Sequence, residues 1–163
     1  MKKLIAVGAL ALAGASSFAC DTAIDPATGL ELESVSTGWR SVGVVEGMNK
    51  LVPSVSFKLK NVSDRSLPSL QVNAVFRRVG EDAEWGSTFV TAAGTDGLAP
   101  GAAADVSVKS HLGYTGTDSR AEMLRNTYFV DAKVDVYAKY GSTQWTRIGE
   151  YAIDRQLIEP AFP

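Results

Sequence analysis

The chain contains few of the residues on which most catalytic sites depend. Its 163 residues include one cysteine and one histidine. A single cysteine excludes an internal disulfide, and one residue of each kind cannot form the usual ligand shell of a zinc ion. The patterns GxxxxGK(S/T), GxGxxG and GxSxG are also absent from the sequence. We therefore predict a protein that is not an enzyme and that needs no cofactor or metal.

The single histidine is a poor candidate for a catalytic base. His111 directly follows Ser110 at the end of a predicted strand. Neighbouring residues of a strand point to opposite faces, so adjacency does not make these two a catalytic pair. Two carboxylates that act on a sugar need only meet in space. A small hydrolase therefore remains a distant alternative.

The chain also lacks an excess of positive charge. Sixteen lysines and arginines stand against 18 aspartates and glutamates, for a formal net charge of −2. Binding to nucleic acid depends on a basic surface that neutralises phosphates. The composition therefore gives no support for a nucleic-acid partner.

The longest apolar run, residues 4–14, is too short to span a bilayer. Lys2 and Lys3 precede it, and the segment that follows ends with the small residues Ser17 and Ala19 on either side of Phe18. Basic, apolar and small segments in this order are typical of a secretory signal peptide. We predict a signal peptide over residues 1–19 and an exported mature chain that begins at Cys20.

The residues before Cys20 also resemble the lipobox of bacterial lipoproteins. A lone thiol at an exported N-terminus is a liability unless it is modified. The resemblance implies acylation of Cys20 and a lipid anchor on the periplasmic face of the inner or outer membrane. The alternative is a soluble mature chain with a free or intermolecular thiol. We expect residues 20–29 to be a polar tether, 30–158 one domain and 159–163 a tail.

The stretch from Val52 to Phe76 predicts two strands joined by a loop. Apolar residues alternate with polar ones on both sides of the turn formers at 61–68. By this alternation Phe57 faces the core and Lys58 faces solvent. A third alternating run, residues 130–139, directs Val134 inward and Asp135 and Tyr137 outward.

The other strands are shorter or less regular. Residues 30–46 predict one edge strand broken at Thr37-Gly38, or two short strands. Residues 144–154 predict a hairpin partner for 130–139, with a bulge at Gly149. About eight alternating strands and one short helix indicate an all-β protein with a single β-sandwich. A closed β-barrel gives similar spacing and stays open as an alternative.

Residues 111–127 form the longest connection. Ser119 and Glu122 have the spacing of a helix capping box. Tyr114 lies between two glycines, and we expect its ring to be presented to a partner. Arg120 and Arg125 add donors for a carboxylate or phosphate. The structural alternative is that the apolar pair after Glu122 caps one end of the sandwich.

The run Phe57-Lys-Leu-Lys-Asn-Val-Ser, with the later Leu98-Ala-Pro-Gly101, resembles the immunoglobulin-like, FxLYD-type modules of bacterial envelope lipoproteins. The resemblance covers about residues 52–110. It implies that the strand ending in Asn-x-Ser pairs with the next strand, and Tyr128 resembles the tyrosine corner of such folds. It also implies a binding or assembly function with a protein partner in the envelope.

The aromatic residues suggest a second function. Trp39, Trp85 and Trp145, with exposed tyrosines such as Tyr137, are suited to a platform for sugar rings. The structural alternative is that the tryptophans plug the two ends of the sandwich. A module that binds carbohydrate or peptidoglycan is therefore the second hypothesis.

Overall fold

The computed structural model describes residues 22–158, which form eight strands and two short helices. In chain order the strands are Leu30–Val45 (β1), Met48–Asn61 (β2), Leu70–Arg78 (β3), Gly86–Ala93 (β4), Ala103–Lys109 (β5), Tyr114–Gly116 (β6), Ala132–Lys139 (β7) and Thr146–Ala152 (β8). The helices are Pro26–Gly29 (α1) and Arg120–Arg125 (α2). The predicted signal peptide, Cys20 and the predicted tail lie outside the described residues.

The strands form two antiparallel sheets that pack face to face. The first has the order β1-β2-β5, with β6 also paired to β2, and the second has the order β4-β3-β7-β8. Pairing of β2 with β5 and of β3 with β7 is the Greek-key arrangement of immunoglobulin-like sandwiches. Within residues 22–158 no strand ladder joins the two sheets. The fold is therefore the predicted sandwich, and the barrel alternative is wrong.

Alternating apolar residues build the core between the sheets. Phe57 of β2 is buried while Lys58 is exposed. The inward positions of β3 and β7 are also buried: Leu70, Val72, Ala74, Phe76, Val134, Val136 and Ala138. Burying one large apolar side chain contributes about 1.5–3 kcal/mol. The inward directions predicted for Phe57 and Val134 are confirmed.

The loop between β2 and β3 carries the chain from one sheet to the other. The Asn61 side chain is buried and donates to the carbonyls of Arg65 and Leu98, both at 2.7 Å. Its oxygen accepts from the backbone N–H of Ser63 at 2.9 Å. These bonds satisfy the amide and hold the crossover. The implied pairing of the two strands is wrong, because they face each other across the core.

β1 is one long strand. Thr37 and Gly38 pair regularly with β2, and the irregularities lie on either side of them, between Glu33 and Ser36 and between Ser41 and Val44. The predicted break is therefore misplaced. β1 and β2 are joined by the two-residue turn at 46–47, where both residues have positive φ, 51° and 79°. Such a turn matches the twist of a hairpin.

The last long connection ends later than predicted. β7 begins at Ala132 and not at Val130. Tyr128 lies before it with 91% of its surface exposed, so the expected tyrosine corner is wrong. The β7–β8 ladder shifts register opposite Gly149, which confirms the bulge. No helix within residues 22–158 is long and apolar enough to cross a membrane.

The N-terminal segment packs against one end of the sandwich. The backbone N–H of Ile24 donates to the Tyr140 hydroxyl at 2.6 Å, and the Asp25 side chain caps α1. Residues 22–29 are thus part of the fold, which begins before the expected boundary at 30. We call this end proximal. The opposite, distal end contains the turn at 46–47 and the connections 79–85 and 111–131.

Candidate functional site

Four aromatic side chains pack together at the distal end. Trp39 of β1 is fully buried, and the ring centroids of Trp85, Tyr114 and Phe129 lie 6.2, 5.6 and 4.6 Å from its own. Aromatic pairs at such distances contribute about 0.5–1.5 kcal/mol beyond burial. These four residues, the distal aromatic cluster, close this end of the core. Trp39 and Trp85 thus close one end, as the structural alternative expected, whereas Trp145 is partly exposed under Lys139 and does not plug the other end.

Tyr114 is held inside this cluster by its strand. β6 pairs with residues 49–51 of β2, and a side chain at Gly113 would lie 2.0 Å from the Leu51 carbonyl oxygen. The glycine therefore allows the close approach that brings Tyr114 over Trp85 and Phe129, at 4.9 and 4.8 Å. The expectation of a freely presented ring is wrong. Whether Tyr114 contributes to binding stays a prediction.

The Tyr114 hydroxyl is bonded within the fold. It donates to the Val130 carbonyl at 3.2 Å. Burial raises the pKa of Tyr114 above its ordinary value, because removal from water disfavours the phenolate. The residue is therefore a neutral hydrogen-bond donor at physiological pH, and its ring supports the distal end.

Helix α2 packs its apolar side into the hydrophobic core. Ser119 Oγ accepts from the Glu122 N–H at 3.4 Å, and the Glu122 carboxylate accepts from the Ser119 N–H at 3.1 Å, which confirms the capping box. Met123 and Leu124 are buried, as the structural alternative for this connection expected.

The two arginines of α2 are exposed, but they do not share one side of the helix. Arg120 and Arg125 are five positions apart, which corresponds to a rotation of about 140° around a helix of 3.6 residues per turn. The geometry of α2 therefore does not direct both arginine side chains toward the same carboxylate or phosphate. Their individual roles in binding stay predictions.

A cleft of about 160 Å³ opens between β6, α2 and the chain that follows. Its walls include Thr115, Met123, Asn126, Tyr128 and Phe129. Tyr128 forms the outer wall, and its backbone N–H donates to Asn126 Oδ1 at 2.9 Å. We call this the distal cleft. A cavity of this size holds about one side chain and is smaller than most small-molecule pockets.

Arg155 holds the cleft's outer connection to the domain, a role that the sequence did not suggest. Its guanidinium pairs with Asp131 at 2.6 Å and donates to the carbonyls of Phe129 at 2.8 Å and Leu124 at 3.3 Å. It also lies 5.2 Å from the Phe129 ring centroid. The bond to Asp131 raises the pKa of Arg155, so the charge is permanent. The backbone under Tyr128 is therefore well supported.

Tyr137 lies far from the distal cleft. It is half-buried in the middle of β7, on the outer face of the second sheet, as predicted. Asp135 faces the same way, but only 5% of its side chain is exposed, because it pairs with Arg77 and with Arg147. The expectation that Asp135 is an ordinary surface residue is wrong, since cross-strand arginines cover it.

The described residues give little geometric support for a catalytic pair of Ser110 and His111 or for a metal site. Ser110 is buried and accepts from the Leu112 N–H at 3.1 Å, whereas His111 is exposed. Within residues 22–158 no three His, Cys, Asp or Glu side chains lie close enough to hold a metal ion.

Comparison with known proteins gives little more. No family model matches the chain, and no curated protein matches it. Among solved structures, the X-ray structure of Northeast Structural Genomics Consortium target SoR45 is similar, with a TM-score of 0.45 and 13% identity over 79% of this chain and 89% of that one. A similarity of this degree says nothing about function.

Proposed function

We propose that this chain is a non-catalytic envelope lipoprotein whose sandwich binds a protein partner at the distal cleft. The observation that carries the proposal is the exposure of Tyr128 beside an aromatic-lined cleft. At 91%, it is the most exposed of the large apolar side chains in the described range. Tyrosine is enriched at the energetic centres of protein interfaces, because it combines a large ring with a hydroxyl.

The surroundings of Tyr128 support a site that is formed before binding. The distal aromatic cluster lies beneath the cleft, and Arg155 fastens the connection that carries Tyr128. A rigid base lowers the entropy cost of association. The size of the cleft suits one apolar side chain of a partner, with Tyr128 packing against it from outside.

The proposed lipid anchor at Cys20 is compatible with a binding site at the distal end. Thr22, two residues after Cys20, accepts a hydrogen bond from Arg65 at the proximal end. Acylation of Cys20 would therefore leave the proximal end nearest the membrane. β1 runs from the proximal to the distal end over 16 residues, a length of up to about 50 Å at 3.3 Å per residue. The distal cleft would then face away from the lipid.

Site-specific photo-crosslinking tests this function. A benzophenone amino acid replaces Tyr128 in one variant and Thr95, in an exposed loop at the proximal end, in the control. We expect a discrete crosslinked protein from position 128 and none from position 95. The same pattern of products from both positions, or none from position 128, would contradict a partner at the distal cleft.

A further inference from the structure

The outer face of the second sheet carries two adjacent rows of aromatic, amide and basic side chains. In the first row the ladders align four residues across the sheet: Phe89, Asn73, Tyr137 and Arg147. In the next row Gln71 pairs with Thr91 and Lys139, and Lys139 Nζ lies 5.0 Å from the Trp145 ring centroid. Cross-strand partners share one face of a sheet. We call this surface the aromatic face.

The aromatic rings of this face lie outside the hydrophobic core of the described residues, and the Lys139 ammonium lies over the ring of Trp145. Phe89 is 65% exposed and Trp145 39% exposed, and neither contacts another aromatic ring within residues 22–158. Tyr137 is half-buried, and its hydroxyl makes no hydrogen bond within the same range. Large apolar groups exposed together on a soluble surface mark interaction sites.

The outer face of the first sheet shows that such rings are not a requirement of the fold. Its β2 and β5 positions carry serines and ion pairs, including Lys58 with Asp105 at 2.8 Å and Lys60 with Glu33 of β1 at 2.9 Å. Both outer faces have the same backbone geometry, but only the second combines rings with amides. The rings of the second sheet are therefore not needed to form the sandwich.

In these two rows of the aromatic face the charges are of one sign, although the whole chain carries −2. The rows contain Lys139 and Arg147 and no acid. The neighbouring carboxylates of Asp135 and Glu150 both pair with Arg147. Lys139 has no carboxylate partner in residues 22–158. The unneutralised cation therefore lies directly beside an exposed ring.

We propose that the aromatic face binds an acidic polysaccharide. Sugar rings present flat C–H faces that stack on Phe89 and Trp145. The amides of Asn73 and Gln71 lie between these rings and both donate to and accept from hydroxyl groups. A sugar carboxylate pairs with Lys139. The flat surface suits an extended chain of sugars, and the site is independent of the distal cleft.

Calorimetric titration with oligogalacturonate tests the proposal, with a dextran oligosaccharide of equal length as the uncharged probe. We expect binding of the acidic oligosaccharide and much weaker binding of dextran. Phe89→Ala removes one stacking surface and weakens binding by about tenfold, which corresponds to about 1.4 kcal/mol. Lys139→Gln abolishes the preference for the acidic probe. Both side chains lie on the surface, so melting temperatures stay close to that of the wild type.

Two variants serve as matched controls. Lys58→Gln removes a charge from the outer face of the first sheet, and Tyr128→Ala changes only the distal cleft; both keep wild-type affinity for oligogalacturonate. The proposal is overturned by absent binding of oligogalacturonate, by equal binding of dextran, or by full affinity in Phe89→Ala. An equal loss in Lys58→Gln also overturns it, because attraction would then be diffuse. The crosslinking result expected at position 128 does not depend on any of these outcomes, so the two proposals can fail separately.

Discussion

Asp135 lies on the outer face of β7, yet Arg77 and Arg147 close over its carboxylate. Removing one member of a buried ionic group leaves the others without their partner. The Arg147 side chain is 55% exposed, so water screens part of this loss. We expect Asp135→Ala to lower the free energy of unfolding by about 1–3 kcal/mol, measured by denaturant titration.

Lys58→Ala is the matched control for that measurement. Lys58 also pairs with an acid across strands, but both side chains are half exposed. Such pairs contribute little, so the change should stay within about 0.5 kcal/mol. Equal effects of the two substitutions would show that the carboxylate of Asp135 is solvated, as alternation alone predicted.

For Tyr114, the free energy of unfolding distinguishes a ring that is presented to a partner from a ring that supports the fold. Presentation to a partner predicted an unchanged melting temperature for Tyr114→Ala. Its place in the distal aromatic cluster predicts a loss of about 2–4 kcal/mol, since ring contacts and burial are both removed. Tyr114→Phe keeps the ring and loses only the bond to Val130, at a cost of about 1 kcal/mol.

Thermal and denaturant unfolding of the two Tyr114 variants give the answer together. A smaller effect for Phe than for Ala identifies the ring as the stabilising part. If Tyr114→Ala has the same melting temperature as the wild type, the Tyr114 ring does not stabilise the fold. It would then not support the distal cleft as we assign.

At the scale of elements, the strands with regular alternation were predictable and their boundaries less so. Residues 52–60 and 70–76, which the alternation assigned to strands, lie within β2 and β3 of the structure, because a period of two matches the pleat of a strand. β1 was divided wrongly because glycine at position 38 reads as a break. In the fold a side chain there would lie 2.7 Å from Ile158, so the glycine makes room for the C-terminal segment.

The connection between β6 and β7 shows where local signals succeed and fail. The capping box depends on bonds between residues three apart, so its sequence pattern was sufficient. The fastening of this connection by Arg155 depends on residues 24 to 31 positions away. No local pattern encodes such contacts, and the role of Arg155 was missed for that reason.

At the scale of the whole molecule, the proposed lipid anchor leads to a further prediction. Cys20→Ala removes the only thiol and therefore the site of acylation. We expect the wild type to partition into the detergent phase of a cell-envelope extract and the variant to move into the soluble periplasmic fraction. A wild-type protein that is already soluble, with a thiol that reacts with maleimide, would contradict the anchor.

The sequence by itself determined the class of the fold and the composition of its core. Burial of alternating apolar faces is the dominant favourable term in folding, and it can be read directly from the order of residues. The approximate number of strands and the inward direction of Phe57 and Val134 followed from it. The capping box and the bulge at Gly149 followed from equally local chemistry.

Only the tertiary structure decided which strands are neighbours and which surfaces they create. Pairing of β2 with β5 and of β3 with β7 depends on contacts between distant residues, which single-sequence periodicity does not contain. The same contacts bury Asp135 and bring Tyr114 against the core. They also align Phe89 with Tyr137 on one face. A surface is a product of strand order, and strand order is set by the packing of the whole chain.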